Sequence, residues 1–209
     1  MKNSSISIAL ADDHTIVRAG TAAIIKSMSN LNVIVEADNG QELINYLSNT
    51  NTLPDLVILD VYMPVMNGYQ TLTILRQFWP QIKILILSTY NHDFLIATML
   101  RDGANGYIFK SDSAEELIEG IFDVMYKGFY MTRTPAKFLS SLSNLPRLTE
   151  QHKLFLQLCC TELTYEGIAE VMKVKPRTIE GYRATLSEML RLHTRTGFVL
   201  FATRNGLSL

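Results

Sequence analysis

The sequence predicts an α/β unit built on a doubly wound parallel sheet of five strands, followed by a smaller all-α unit of four helices. Three observations predict it. Five short runs rich in Ile, Leu and Val recur between residues 6 and 109. Longer stretches with apolar residues at three- and four-residue spacing separate them, as in Ile16, Ala19, Ala23 or Leu72, Leu75, Phe78. Beyond Pro146 the periodicity is purely helical. Parallel neighbours need a crossover of a dozen or more residues, usually a helix, so this alternation implies a parallel sheet.

The strand candidates are ISIALA (6–11), NVIVEA (32–37), LVIL (56–59), IKILIL (82–87) and GYIF (106–109). Most are apolar almost throughout, which marks strands buried on both faces. The last helix of this half, 114–127, stops at Gly128, a residue suited to the left-handed cap position. From Gly128 to Pro146 the chain carries Pro135, Ser140, Ser141, Ser143, Asn144 and Pro146, the composition of a linker, although Phe129, Tyr130, Phe138 and Leu139 are apolar enough to pack. Helical patterns follow over 149–160, 165–172, 176–191 and 195–205, with Gly206 closing the last. The expected organisation is therefore 1–127, a linker over 128–146, and 147–209.

With 209 residues and 47% apolar content, the chain can build a core in each unit. A net charge of -1 hides an asymmetry. Residues 1–131 hold eight Lys/Arg against fourteen Asp/Glu, a net of -6, and 132–209 hold eleven against six, a net of +5. The second half is the one suited to a polyanion. The N-terminus lacks the apolar core of a signal peptide, and no stretch reaches the eighteen or so apolar residues that cross a bilayer, so a cytoplasmic protein without a membrane partner is expected. Cys159 and Cys160 are adjacent within a helical pattern and read as core thiols.

In an open parallel sheet, ligands lie beyond the carboxyl ends of the strands. There the runs are followed by Asp12-Asp13, Asp60, Ser88 and Lys110. Three carboxylates in one pocket raise one another's pKa unless cations compensate. The lysine is one cation, and an all-oxygen set with room for water suits Mg²⁺ as another. A carboxylate in such a place can attack phosphorus and form an aspartyl phosphate, stabilised by metal, lysine and hydroxyl. Asp60, alone at the end of the central run, is the best nucleophile. Singly, Asp12 or Asp13 would read as a helix N-cap, and Ser88 or Lys110 as ordinary loop residues.

Asp12-Asp13, Asp60-Val61-Tyr62-Met63-Pro64 with Asn67-Gly68, Ser88, and Gly106-Tyr107-Ile108-Phe109-Lys110 resemble the receiver domain of two-component response regulators over residues 6–127. The resemblance implies a flavodoxin-like fold and phosphorylation of Asp60 by a sensor histidine kinase or phosphotransfer protein. It also implies Mg²⁺ held by Asp12, Asp13, Asp60 and the Tyr62 carbonyl. Ser88 and Lys110 would then contact the phosphoryl group, and Tyr107 would be the switch aromatic that turns inward. Tyr62 and Tyr90 would control water access to the phosphate. Ser111 stands where the family often has Pro after the lysine, so no cis peptide is expected there.

Residues 148–207, with LTYEGIAEVMKVKPRTIEGYRATLSEML at their centre, resemble the LuxR-type helix-turn-helix, and the two halves together are similar to the NarL/FixJ group. That implies double-stranded DNA as a partner, bound as a homodimer. The helix from Pro176 would turn Ile179, Tyr182, Leu186, Met189 and Leu190 to the core. Lys175, Arg177, Thr178, Glu180, Gly181 and Arg183 would face DNA, with Arg195 on phosphate. Lys175, Glu180, Tyr182 and Met189 depart from residues common at these places. Read by composition alone, the same charges are a solvated helix face. Two other functions compete. An aspartyl-phosphate phosphatase or phosphotransferase of haloacid-dehalogenase type would place an acid two residues after the nucleophile, where Tyr62 stands. A receiver-controlled protein-binding module would use the helical half without DNA.

Overall fold

The computed structural model describes residues 5–89, 93–132, 148–190, 192–204 and Leu207. Tyr90, the linker residues Pro135, Phe138, Leu139, Ser140, Ser141, Ser143, Asn144 and Pro146, and the last-helix closure at Gly206 lie outside them. The chain divides into two compact units, Met1–Leu142 and Ser143–Leu209. No described helix is long and apolar enough to cross a membrane.

The first unit alternates β1 (Ile6–Ala11), α1 (Thr15–Lys26), β2 (Leu31–Ala37), α2 (Gly40–Asn49), β3 (Leu56–Leu59), α3 (Gly68–Phe78), β4 (Lys83–Ser88), α4 (Asp93–Arg101), β5 (Gly106–Phe109), α5 (Ala114–Tyr126) and β6 (Tyr130–Met131). All pairings are parallel, and the strand order is β2-β1-β3-β4-β5-β6. The sheet therefore has six strands where the sequence predicts five, and the sixth lies inside the stretch read as linker. Tyr130 pairs with Gly106 and Met131 with Tyr107. Two residues are too few to show a strand period, and the pairing depends on what Gly106 lacks. A Cβ there would sit 2.5 Å from the Tyr130 carbonyl oxygen, closer than the two backbones permit.

The order reverses direction between β1 and β3, so their carboxyl ends lie side by side with Ala11 opposite Leu59. Asp12 and Asp60 are the next residues. On the far side Ser88 pairs with Phe109, which sets Ser88 beside the start of the Lys110 turn. Beneath these ends Ile8, Leu10, Leu56, Ile58 and Leu85 are fully or almost fully buried against Leu117 and Ile121 of α5.

The second unit contains α6 (Glu150–Cys159), α7 (Tyr165–Val171), α8 (Pro176–Leu190) and α9 (Arg195–Arg204) around Phe155, Leu156, Ile168, Ile179, Leu186 and Phe198. Thr149 caps α6, its hydroxyl accepting from the His152 N–H, while His152 Nδ1 takes the place usually held by a carboxylate and accepts from the Thr149 N–H. Cys159 is buried, Cys160 half-buried, and neither is in a disulfide. Burial pushes the Cys159 thiol up to about 12, which leaves it protonated and unreactive at neutral pH.

The turn between α7 and α8 closes with Val174 N–H on the Ala169 carbonyl and Lys173 N–H on that of Glu170, and Lys173 adopts φ 54°. This paired closure normally has glycine at the left-handed position. Lys173→Gly should therefore raise the stability of the helical unit by about 0.5–1 kcal/mol, seen as a higher urea midpoint. An unchanged or lower midpoint would show that the lysine side chain holds this turn.

Candidate functional site

Strand β3 ends as its pattern predicts, and the backbone then turns sharply. Asp60 N–H donates to the Ala11 carbonyl at 2.9 Å, continuing the β1 pairing by one residue, and Asp60 Oδ1 accepts from the Val61 N–H at 2.7 Å. The loop folds back on itself. Met66 N–H donates to the Pro64 carbonyl at 2.7 Å around Val65, an exposed β-branched residue at φ 67°, and Gly68 N–H donates to the Val61 carbonyl at 2.9 Å. Asn67 then starts α3 through a reciprocal capping box with Gln70. Tyr62 is half-buried in this loop.

Three of the predicted residues meet at one nitrogen. Lys110 Nζ lies 2.7 Å from Asp12 Oδ2 and 2.7 Å from Asp60 Oδ2, with all three side chains less than a tenth exposed. Burial opposes the charge on Lys110, but its two carboxylate partners together hold its pKa above the ordinary lysine value. Burial is also the main influence on Asp60. It raises the carboxyl from 3.8 to about 6, with Asp12 adding to the rise and Lys110 and the Val61 N–H holding it back.

Asp12 and Asp13 do not cap α1. The N-cap is His14, whose side chain makes no capping bond, and Asp12 Oδ1 instead accepts from the His14 N–H at 2.8 Å. The Asp12 carbonyl receives the Arg18 guanidinium, which also pairs with Asp38. Ser88 and Tyr107 are fully buried and hydrogen-bonded to each other, so the Tyr107 ring points inward, its edge against Phe109 at 5.5 Å. Burial pushes the Tyr107 phenol well above its ordinary pKa, which keeps the hydroxyl neutral.

Sequence reasoning passed over His14. Its Nδ1 stands 2.8 Å from Asp13 Oδ1 and 3.5 Å from Asp12 Oδ1, and Asp12, Asp13, His14 and Asp60 can each bring one ligand atom within 4.8 Å of the others. Adjacency to the acidic pair was the only signal available. Asp13 Oδ1 is buried and receives no well-directed hydrogen bond despite the nearby imidazole. Three clustered carboxylates, two of them on one lysine and one with such an oxygen, fit a hard divalent cation.

In the second unit Lys175, just before α8, and Arg177, Glu180, Gly181 and Arg183 within it are exposed, and Thr178 is half-exposed. Nothing lies within 4 Å of where a Gly181 Cβ would be, so that helix face is open. Ile179 and Leu186 are buried, and Tyr182 and Leu190 pack on the same core, Tyr182 against Phe155 and His152. Arg195, expected on phosphate, also has partners within the fold. Its Nε donates to the Cys159 carbonyl at 3.2 Å and its Nη2 to that of Thr161 at 2.7 Å, which ties α9 to the turn after α6. Backbone carbonyls leave no mark in a sequence, so an arginine bound to them looks like a free cation.

A doubly wound parallel sheet with carboxylates from β1 and β3 gripping a lysine beyond β5 defines a receiver. Residues 8–122 match the family model described as the response regulator receiver domain. The chain belongs to the response-regulator family. Curated relatives match over nearly their whole length. The uncharacterized transcriptional regulatory protein YxjL of Bacillus subtilis (strain 168) is 30% identical over 99% of this chain and 99% of its own. The transcriptional regulatory protein LnrK of the same strain is 28% identical over 97% of this chain and 99% of its own. Among solved structures, RcsB from Salmonella enterica serovar Typhimurium, bound to promoter rprA in the presence of BeF3-, shares the fold with TM-score 0.71. It is 18% identical and covers 95% of this chain and 98% of that one.

Proposed function

We propose that this protein is a cytoplasmic, phosphorylation-regulated transcriptional regulator. Residues 1–127 serve as its phosphoacceptor domain and 147–209 as its LuxR-type DNA-binding domain. The observation that carries the reading is the Lys110 bridge between Asp12 and Asp60, in which a buried nucleophile, an electrostatic partner and a second acid share one point.

An Asp60 carboxylate oxygen attacks the phosphorus of a phosphohistidine on a sensor kinase or phosphotransfer protein. The P–N bond breaks and the imidazole leaves with its electron pair. Lys110 moves from its carboxylate partners to the phosphoryl oxygens, and Ser88, released from Tyr107, donates its hydroxyl to another. Asp12, Asp13, Asp60 and the Tyr62 carbonyl are the residues that would hold Mg²⁺, which supplies charge neutralisation of the transferring group. Exchanging the Ser88–Tyr107 bond for a Ser88–phosphate bond changes the packing of a fully buried ring, and that is the two-state element biased by phosphorylation. Catalysis is confined to gain and loss of phosphate at Asp60.

The exposed face of α8, with Lys175, Arg177 and Arg183, supplies the DNA contacts, and pairing of two copies on two half-sites compensates for the modest charge of one domain. The curated names of YxjL and LnrK support a transcriptional role.

Incubation with phosphoramidate and Mg²⁺ tests the first half. The expected result is one added phosphate by mass on the wild type and none on Asp60→Asn. Equal labelling of the variant would reject Asp60 as acceptor. The second half predicts a gel shift with duplexes from the region upstream of its own gene that weakens steeply with salt, and loss of that shift on Arg177→Ala/Arg183→Ala. Retained binding by that double variant would reject α8 as the DNA-facing element.

A further inference from the structure

Tyr165, the first residue of α7, stacks one face of its ring on Phe155 of α6, with centroids 6.1 Å apart and planes 12° from parallel. Two guanidinium groups approach the same ring. That of Arg183, from the middle of α8, lies 4.4 Å from the centroid, and that of Arg195 lies 5.5 Å away. Arg195 is already fixed by two backbone carbonyls. Arg183 is an exposed side chain on the flank of α8 toward α7, and the ring is the surface its guanidinium packs on.

From this contact we propose that Tyr165 is a positioning residue for DNA binding, holding the Arg183 guanidinium in place before DNA arrives. An arginine side chain has many rotamers to lose on binding, and a group already packed on a fixed ring has fewer. The guanidinium lies over the ring and also bonds the Tyr165 hydroxyl, and its remaining N–H groups are left for a planar pair of acceptors. Such a pair is offered by the O6 and N7 edge of guanine or by two phosphate oxygens. The inference rests on the DNA-binding reading above.

Its test is a double-mutant cycle on the full chain treated with phosphoramidate. Dissociation constants are measured for duplexes tiling the region upstream of its own gene and for one random-sequence duplex. Tyr165→Leu should weaken binding about two- to fivefold, the size of an exposed cation–π contact, while Tyr165→Phe, which keeps the π face and loses only the hydroxyl bond to Arg183, should weaken it less. In an Arg183→Ala background Tyr165→Leu should add nothing. A loss confined to the tightest duplex identifies a guanine edge as the acceptor. An equal loss on the random duplex, with a salt slope shallower by about one for Arg183→Ala, identifies phosphate. Undiminished binding by Tyr165→Leu, or the same loss with and without Arg183, would overturn the positioning role, the second by showing that the ring acts through the fold. A wild type that binds none of the duplexes would instead overturn the DNA-binding reading itself.

Discussion

Asp60→Asn is expected to make the protein harder to unfold at pH 7 while abolishing its phosphorylation. The direction follows from linkage. The Asp60 carboxyl is raised from 3.8 to about 6 in the folded chain, chiefly by burial, so the native state binds this proton more tightly than the unfolded state. Stability then falls as pH rises between those two values, and above about pH 6 the folded protein carries the full penalty of a buried, ionised Asp60. At 1.36 kcal/mol per pKa unit the penalty is about 3 kcal/mol. Asparagine keeps the shape and carries no charge, and Lys110 retains Asp12 at 2.7 Å. Urea unfolding at pH 7 should therefore show the variant more stable by about 2–3 kcal/mol, and the difference should vanish below about pH 3, where wild-type Asp60 is protonated in both states. A variant that is less stable at pH 7 would mean that the Lys110 bridge outweighs the burial of its acceptor. Mg²⁺ should narrow the gap, because a cation that binds the intact carboxylate cluster stabilises the wild type by mass action.

That penalty is built into the fold, since Asp60 is held, partly desolvated, against a single lysine. On the proposed phosphoacceptor reading, a phosphoryl group and a cation would supply it with further partners. The opposite edge of the sheet is tied separately. Arg76 donates to the Gly103 and Ile82 carbonyls at 2.9 and 2.7 Å and to Asn105 Oδ1 at 2.9 Å, fastening the end of α3 to the turns that enter β4 and β5.

Most of the sheet was legible because parallel strands buried on both faces are written as unbroken apolar runs. ISIALA, LVIL and GYIF coincide with β1, β3 and β5 residue for residue, while IKILIL is displaced by one from Lys83–Ser88. The clustering of Asp12, Asp60 and Lys110 was legible for the same reason, since polar residues directly after such runs must lie at strand ends. What escaped depends on partners rather than patterns. Strand β6 exists because Gly106 leaves room for the Tyr130 backbone, His14 joins the acids because the turn into α1 bends it back, and Arg195 is spent on carbonyls. None of these has a period or a motif. The departures noted on α8 divide likewise, with Tyr182 half-buried against Phe155 and His152, and Lys175 and Glu180 at the surface.

Gly68→Ala is expected to damage both stability and phosphorylation, for a reason that the turn-forming reading of Asn67-Gly68 does not contain. Its backbone dihedrals are not among the left-handed ones, so conformational freedom is not what the position requires. Space is. An added Cβ would sit 2.1 Å from the Asp60 carbonyl oxygen and 2.8 Å from the Val61 Cα, both backbone atoms that cannot swing aside as a side-chain end would. The first residue of α3 is pressed against the peptide that follows Asp60, and the Gly68 N–H bond to the Val61 carbonyl at 2.9 Å holds it there. A methyl group must push the loop and Asp60 apart, and overpacking of this kind costs about 1–3 kcal/mol or somewhat more where only backbone can yield. Because Asp60 is the group displaced, its 2.7 Å contact with Lys110 and its alignment with the cation ligands are disturbed together. A misplacement of about 1 Å is enough to slow a positioned reaction about a hundredfold. The expected result is a lower urea midpoint together with a fall of tenfold or more in the rate of labelling by phosphoramidate, that rate taken relative to folded protein. Gly167→Ala, whose Cβ would meet Leu163 at an ordinary 3.4 Å, is the matched control and should leave labelling unchanged. Normal labelling by Gly68→Ala would show that the loop can shift without carrying Asp60 along, and that the acceptor is held in place by Lys110 rather than by its own backbone.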